Sequence, residues 1–210
     1  MRGSYLLKSL GIGAMLLGAG LTAKPAQAQK SADTMRITWR DAIPNVNPYY
    51  NQLRTGLVLA YQTMDGLVYR DPDTFAIKPL LATSWKYLDD TTLEFTLRKG
   101  VKFQDGSPFS ADDVVYTFNG LLNDKQLSVP SNFAWMAGAE KVDDYTVKVK
   151  LKRIFPAALE YLSMVMPIMP QAYREKVGHD EYDKKPGAAG PYMITKVDGI
   201  TQINPTRFDG

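Results

Sequence analysis

Two strictly alternating stretches with a capped amphipathic helix between them set the fold class of this 210-residue chain. Thr92-Leu93-Glu94-Phe95-Thr96-Leu97-Arg98 places Leu93, Phe95 and Leu97 on one face. Tyr145, Val147, Val149 and Leu151 alternate in the same way with Thr146, Lys148, Lys150 and Lys152. A period of two is that of a half-buried strand, because successive side chains point to opposite faces; the second strand turns a basic, solvated face outward. Between them, Ser110-Ala111-Asp112-Asp113 has the form of a helix start, with Ser110 as N-cap and Asp113 at N3. Both acids suit the positive end of the helix dipole. Val114, Val115, Phe118, Leu121 and Leu122 then fall on one apolar stripe.

The rest of the chain supplies similar pieces. Met35–Arg40 alternates as a strand, and 41–51 is an irregular loop holding Asn45, Asn47, Tyr49 and Tyr50. Leu53, Leu57, Ala60, Tyr61 and Met64 recur at helical spacing. Asp71-Pro72-Asp73 is a turn, and Val101–Phe103 is a short strand bracketed by turns. Pro156 suits the first turn of a helix running to about Met164, and Pro170 another that ends before Gly178. Gly187–Pro191 reads as a flexible crossover into a strand at Tyr192–Val197. The expected class is mixed α/β of the α+β type, since strands and helices do not follow a regular βαβ order.

Residues 1–28 contain Arg2, Lys8 and Lys24 and no acid, then an apolar run Leu10–Leu21 and the sequence Ala26-Gln27-Ala28. A basic start, a short apolar core and an A-x-A site make a cleavable secretory signal peptide. The apolar run is well short of the roughly 20 residues that span a bilayer. The chain has 25 Lys+Arg against 22 Asp+Glu, so removing these residues leaves the two signs equal. A balanced mature chain gives no electrostatic case for a nucleic-acid partner. Residue 29 is Gln and the chain has no Cys, so a lipoprotein anchor is excluded and a soluble periplasmic product is expected.

The same composition removes most chemistry. Without Cys there is no disulfide, thiol nucleophile or Cys-based zinc site, and a single His excludes a His-pair metal site. A Ser/His/Asp triad would have to use His179, which reads as a solvated loop residue just past a helix end. The acid pairs Asp89-Asp90, Asp112-Asp113 and Asp143-Asp144 lack calcium-loop spacing. No catalytic residue, metal or cofactor is therefore expected. The aromatics least like simple core are Tyr49 and Tyr50 and, in Ser131–Gly138, Trp135. Aromatics on irregular segments beside small residues and amides can line a ligand cavity. They serve equally well as anchors that pack loops on the nearest domain.

One long stretch is more specific. Leu80-Leu81-Ala82-Thr83-Ser84-Trp85 through Phe103-Gln104-Asp105-Gly106, continuing as Ser107-Pro108-Phe109-Ser110-Ala111-Asp112-Asp113-Val114-Val115-Tyr116-Thr117-Phe118, resembles the signature region of family 5 extracellular solute-binding proteins. Asn45-x-Asn47-Pro48, Asp65-Gly66-Leu67-Val68 and Gly190-Pro191-Tyr192-Met193-Ile194 fit as well. The resemblance implies a periplasmic-binding-protein-like fold of the large peptide-binding type, with two lobes closing about a hinge. It assigns 1–28 to the signal peptide, 29–70 to the first part of the N-terminal lobe, 71–189 to an inserted subdomain and 190–210 to the return to that lobe. Only the N-terminal lobe and inserted subdomain are then expected, the opposing lobe lying beyond this sequence.

The implied activity is reception of an oligopeptide, dipeptide or similar small solute and delivery to an ABC permease in the inner membrane, by a monomer. A chemosensory receptor and a secreted hydrolase are the alternatives. The resemblance implies Asn45, Tyr49, Tyr50 and Trp135 as ligand-binding candidates, Trp135 by correspondence with a ligand-facing Trp of the nickel receptor. That receptor also uses an Arg from the segment equivalent to Met164–Gln171, where this chain has none. A Met-rich, adaptable wall would suit an apolar or peptide-like ligand instead of a nickel chelate.

Overall fold

A computed structural model describes residues 40–43, 45–198 and 202–208. The expected signal peptide and all but the last residue of the expected Met35–Arg40 strand lie outside the described residues. The helices are α1 (Arg54–Thr63), α2 (Ala111–Asn123), α3 (Ala158–Met164), α4 (Gln171–Val177) and α5 (His179–Lys184). The strands are β1 (Val68–Arg70), β2 (Ile77–Pro79), β3 (Ala82–Asp89), β4 (Thr92–Leu97), β5 (Met136–Asp143), β6 (Thr146–Leu151), β7 (Tyr192–Asp198) and β8 (Gln202–Arg207). The architecture is mixed α/β, as the sequence implies.

The centre is an antiparallel sheet in the order β3-β4-β6-β5. Leu93, Phe95, Val147 and Val149 are fully buried on one face, together with Val114 and Phe118 of α2. Each such side chain contributes roughly 1.5–3 kcal/mol by leaving water, which makes this layer the main source of stability. The opposite face is not the basic surface expected from β6 alone. Lys86 pairs in register with Glu94, Glu94 with Lys148, and Lys148 with Glu140. Neighbouring strands alternate the charge, an arrangement that the sequence of one strand does not reveal.

Helix α2 begins as its sequence dictates. The Ser110 hydroxyl accepts the Asp112 N–H, and the Asp113 carboxylate returns to the Ser110 N–H at 2.9 Å. Its apolar stripe faces the sheet. Helix α1 departs from expectation: Leu53 and Tyr61 are exposed, and the buried face is Thr55, Gly56, Leu59, Ala60 and Thr63. Small residues face inward because the chain comes close there; a Cβ on Gly56 would lie 1.9 Å from the Asn51 carbonyl oxygen. Val101–Phe103 forms only an isolated bridge, Lys102 to Pro108, rather than a strand.

A second, smaller apolar cluster joins Ile43, Val46 and Leu59 to Ile194, with Val197 and Ile203 packed on it. The crossover entering β7 is pinned, which differs from the flexible segment suggested by its glycines. The Gln104 side-chain amide reaches the carbonyls of Thr63 (3.0 Å), Gly190 (3.0 Å) and Tyr192 (2.9 Å). A Cβ on Gly190 would come within 2.3 Å of the Thr63 backbone. Glycine here permits close backbone approach and supplies no looseness.

Candidate functional site

The loop 45–51 carries three of the four candidate residues, and its own amides shape it. The Asn45 side chain accepts the Asn47 N–H at 2.7 Å, and the Asn47 side chain accepts the Tyr49 N–H at 3.1 Å. Such Asx turns fold the chain back on itself and fan successive side chains apart. Asn45 and Asn47 then donate to Asp183 of α5, at 3.5 and 2.7 Å. Asn45 also lines a cavity of about 550 Å³ with Asp180, Asp183 and Lys184.

Tyr49 and Tyr50 diverge. Tyr49 is 1% exposed, packs its ring on Phe133 at 5.7 Å and donates its hydroxyl to the Pro167 carbonyl. Burial raises its pKa well above the usual tyrosine value. Tyr50 instead points to α4 and α5. Its hydroxyl donates to Asp124 at 2.6 Å, accepts from Arg174 at 3.1 Å and lies 2.6 Å from His179 Nε2. With its one proton on Asp124, His179 must present an N–H to it. Burial and the Asp124 hydrogen bond raise the Tyr50 pKa, while Arg174 opposes them.

His179 therefore corrects the sequence reading of a solvated loop residue. Gly178 is at φ 79°, a left-handed value that ends α4 and starts α5 with no intervening loop. His179 is the first residue of α5 and stacks near Tyr50 at 5.0 Å, with Nδ1 3.5 Å from Asp183. Among the described residues, no serine or threonine hydroxyl bonds to it.

Trp135 sits just before β5, 3% exposed, with its indole N–H on the Asn132 carbonyl at 2.8 Å. Its ring stacks on Phe155 at 5.3 Å, with Tyr161 edge-on at 6.4 Å. Asn132 also bonds to Gln52, and the Ser128 N–H to the Tyr49 carbonyl, so the Trp135 segment abuts the tyrosine loop. The structure thus brings Asn45 and Tyr50 to α4–α5, Tyr49 to Phe133 and Pro167, and Trp135 to Phe155 and Tyr161.

A cavity of about 720 Å³ lies elsewhere, between the end of α1, β1, the turn after it and α3. Its wall at Met166-Pro167 belongs to the methionine-rich segment. Four bonds hold that segment extended: Tyr49 hydroxyl to Pro167, Ile168 N–H to the Asp65 carbonyl (2.9 Å), Met169 N–H to Thr117 (2.9 Å) and Gln171 N–H to Asp113 (2.9 Å). Met166, Ile168 and Met169 are almost wholly buried, and Met164 is 46% exposed. Asp65, which also lines this cavity, was not singled out by sequence. The signal was there, an acid between Met64 and Leu67-Val68. Among the described residues, no group of three or more acidic or histidine side chains could hold a metal ion.

The family model for bacterial extracellular solute-binding proteins, family 5 Middle, matches residues 76–210. The chain belongs to this family. It is similar to the glutathione-binding protein GsiB of Salmonella typhimurium, 30% identical over 95% of this chain and 38% of that protein. It is also similar to di/tripeptide-binding protein 1 of Pseudomonas aeruginosa, 29% identical over 93% of this chain and 40% of that protein. Among solved structures, the oligopeptide-binding protein AppA of Bacillus subtilis, in complex with a nonapeptide, superimposes with a TM-score of 0.74 at 26% identity, covering 80% of this chain and 35% of AppA. This family 5 chain thus spans about two fifths of the length of these curated relatives. Those relatives are binding proteins rather than enzymes. The family signature maps onto β3, β4 and the start of α2, where Phe95, Leu97 and Phe103 are core residues and Ser110 is a cap.

Proposed function

We propose that this chain forms one side of an extracytoplasmic receptor that binds an oligopeptide, a dipeptide or a similar small solute for an ABC importer. The supporting observation is family membership over almost the whole chain, combined with a large preformed cavity and a loop whose Asn45 and Asn47 amides are tied to α5 and whose Tyr50 is tied to Asp124 at the end of α2 and to Arg174 and His179. Ligand binding would favour closure about a hinge, and the closed form would be recognised by the permease. The smaller apolar cluster, joining Ile43, Val46 and Leu59 to Ile194, supports a division in which 29–70 and 190–210 belong to one lobe and 71–189 to an inserted subdomain, with Tyr49, Leu67 and Val68 of the first stretch packed into the larger core. Asn45, Tyr49, Tyr50 and Trp135 act in this reading as the frame of the ligand side, with Tyr50 and Asn45 at its edge. The signal peptide directs a soluble monomer to the periplasm, and neither nucleic acid nor a cofactor takes part.

Thermal unfolding of the secreted protein against dipeptides, tripeptides, glutathione and opines tests this. A bound ligand at 100 times its Kd adds about 2.7 kcal/mol to stability, a shift of several degrees. At least one peptide class is expected to produce it at millimolar concentration. No shift across the panel would overturn the proposal.

A further inference from the structure

The large cavity has one charge that nothing in it answers. Arg70 on its rim is paired with Glu160 at 2.9 Å and lies over the Phe75 ring at 5.2 Å. Asp71 is paired with Lys78 at 2.5 Å. Asp65 differs. Its main-chain carbonyl is used by Ile168, but among the described residues no donor reaches its carboxylate. Burial pushes its pKa up to about 6, so the half-buried acid is still mostly ionised at neutral pH.

Around it the lining is apolar and unusually open for such residues. Phe75 is 65%, Tyr61 49% and Met164 46% exposed, and Met64 and Leu162 lie behind them. A half-buried carboxylate on the wall of a largely apolar cavity gains from a cation placed beside it. A ligand ammonium or guanidinium would supply a charge-assisted hydrogen bond, the rings would favour the same sign of charge, and the methionine side chains adapt to varied apolar shapes. A volume of about 720 Å³ falls in the range of small-molecule sites.

We infer that this cavity is a ligand subsite for the cationic end of a small amphipathic solute, with the positive group on Asp65 and an apolar group among Tyr61, Met64 and Met164. The inference rests on the receptor reading given above and narrows its substrate class to amine- or guanidine-bearing solutes with an apolar portion. Anionic solutes are disfavoured by the same carboxylate.

Titration calorimetry of the secreted protein with n-hexylamine and n-hexanol at pH 7.5 tests it, with Asp65→Asn and Met164→Ala as variants. Hexylamine is expected to bind more tightly than hexanol, and Asp65→Asn to weaken hexylamine roughly tenfold while leaving hexanol unchanged. Met164→Ala should weaken both probes alike. Circular dichroism of Asp65→Asn confirms that the variant is folded. Equal hexylamine binding by wild type and Asp65→Asn, or hexanol binding as tightly as hexylamine, would overturn the subsite. Peptide stabilisation that persists in Asp65→Asn alongside that result would overturn the subsite alone. A peptide panel without effect, beside Asp65-dependent hexylamine binding, would instead overturn the peptide reading and leave the subsite standing.

Discussion

The sheet β3-β4-β6-β5 with α2 and the loop 45–51 with α4–α5 are held together by opposite means. In the first, two of the three strand pairings join sequence neighbours across a tight turn, β3 with β4 and β5 with β6, and the apolar β4–β6 pairing closes the sheet. Apolar periodicity decides which face is buried. In the second, Tyr50 meets Arg174 and His179, 124 and 129 positions away, and Asn47 meets Asp183, 136 positions away. These are polar contacts between residues remote in sequence. The difference teaches that the sheet of this fold is stabilised by apolar burial, whereas the loop 45–51 is set against α4 and α5 by a sparse set of directional bonds.

Substitutions in the two regions, and at Asp65 outside both, differ in size and sign. Phe95→Ala, at a fully buried site of the sheet, should cost about 3–5 kcal/mol in urea unfolding. A cost below about 1 kcal/mol would mean that the sheet is not the dominant core. Asp65→Asn should act in the other direction. A carboxyl whose folded pKa is about 6 binds its proton more tightly when folded, so its penalty is absent below pH 4, grows between pH 4 and 6 and is constant above. The variant should therefore gain up to about 3 kcal/mol at pH 8 and nothing at pH 3, read from denaturant midpoints at the two pH values. An equal gain at both would show that the carboxylate is not desolvated.

Tyr50→Phe should cost about 1–3 kcal/mol, because Asp124, Arg174 and His179 lose their shared partner. Amide exchange should rise in 45–51 and α5 and stay unchanged in β4 and β6; uniform change would merge the two regions into one cooperative unit. The smallest effect belongs to the solvent face of the sheet. Lys86→Ala removes a 2.9 Å pair with Glu94 and should cost well under about 1 kcal/mol, a difference abolished by 1 M salt.

Much of the scaffold was legible. The capping box at Ser110 and Asp113, the alternations of β4 and β6, and the helices after Pro156 and Pro170 lie where the residues place them. Helix α1 kept its span but not its face, because the approach of Asn51 and Gly190 selects small residues over Leu53 and Tyr61. The site was less legible. Asn45 and the two tyrosines were visible as candidates, yet nothing in 41–51 announces Asp183, Arg174 or His179 as partners. Asp65 and Gln104 were present inside quoted motifs without a role.

The sequence by itself determined the mixed α/β class, the capped helix and the family, because each depends on spacings of two to four residues or on one contiguous signature. Only the tertiary structure decided which tyrosine is core and which reaches α5, that Gln104 clamps the crossover, and that Asp65 stands unanswered in an apolar cavity. Periodicity records which side of an element is buried. It does not record which distant polar group meets another, since that pairing is set by how packed elements bring their ends together.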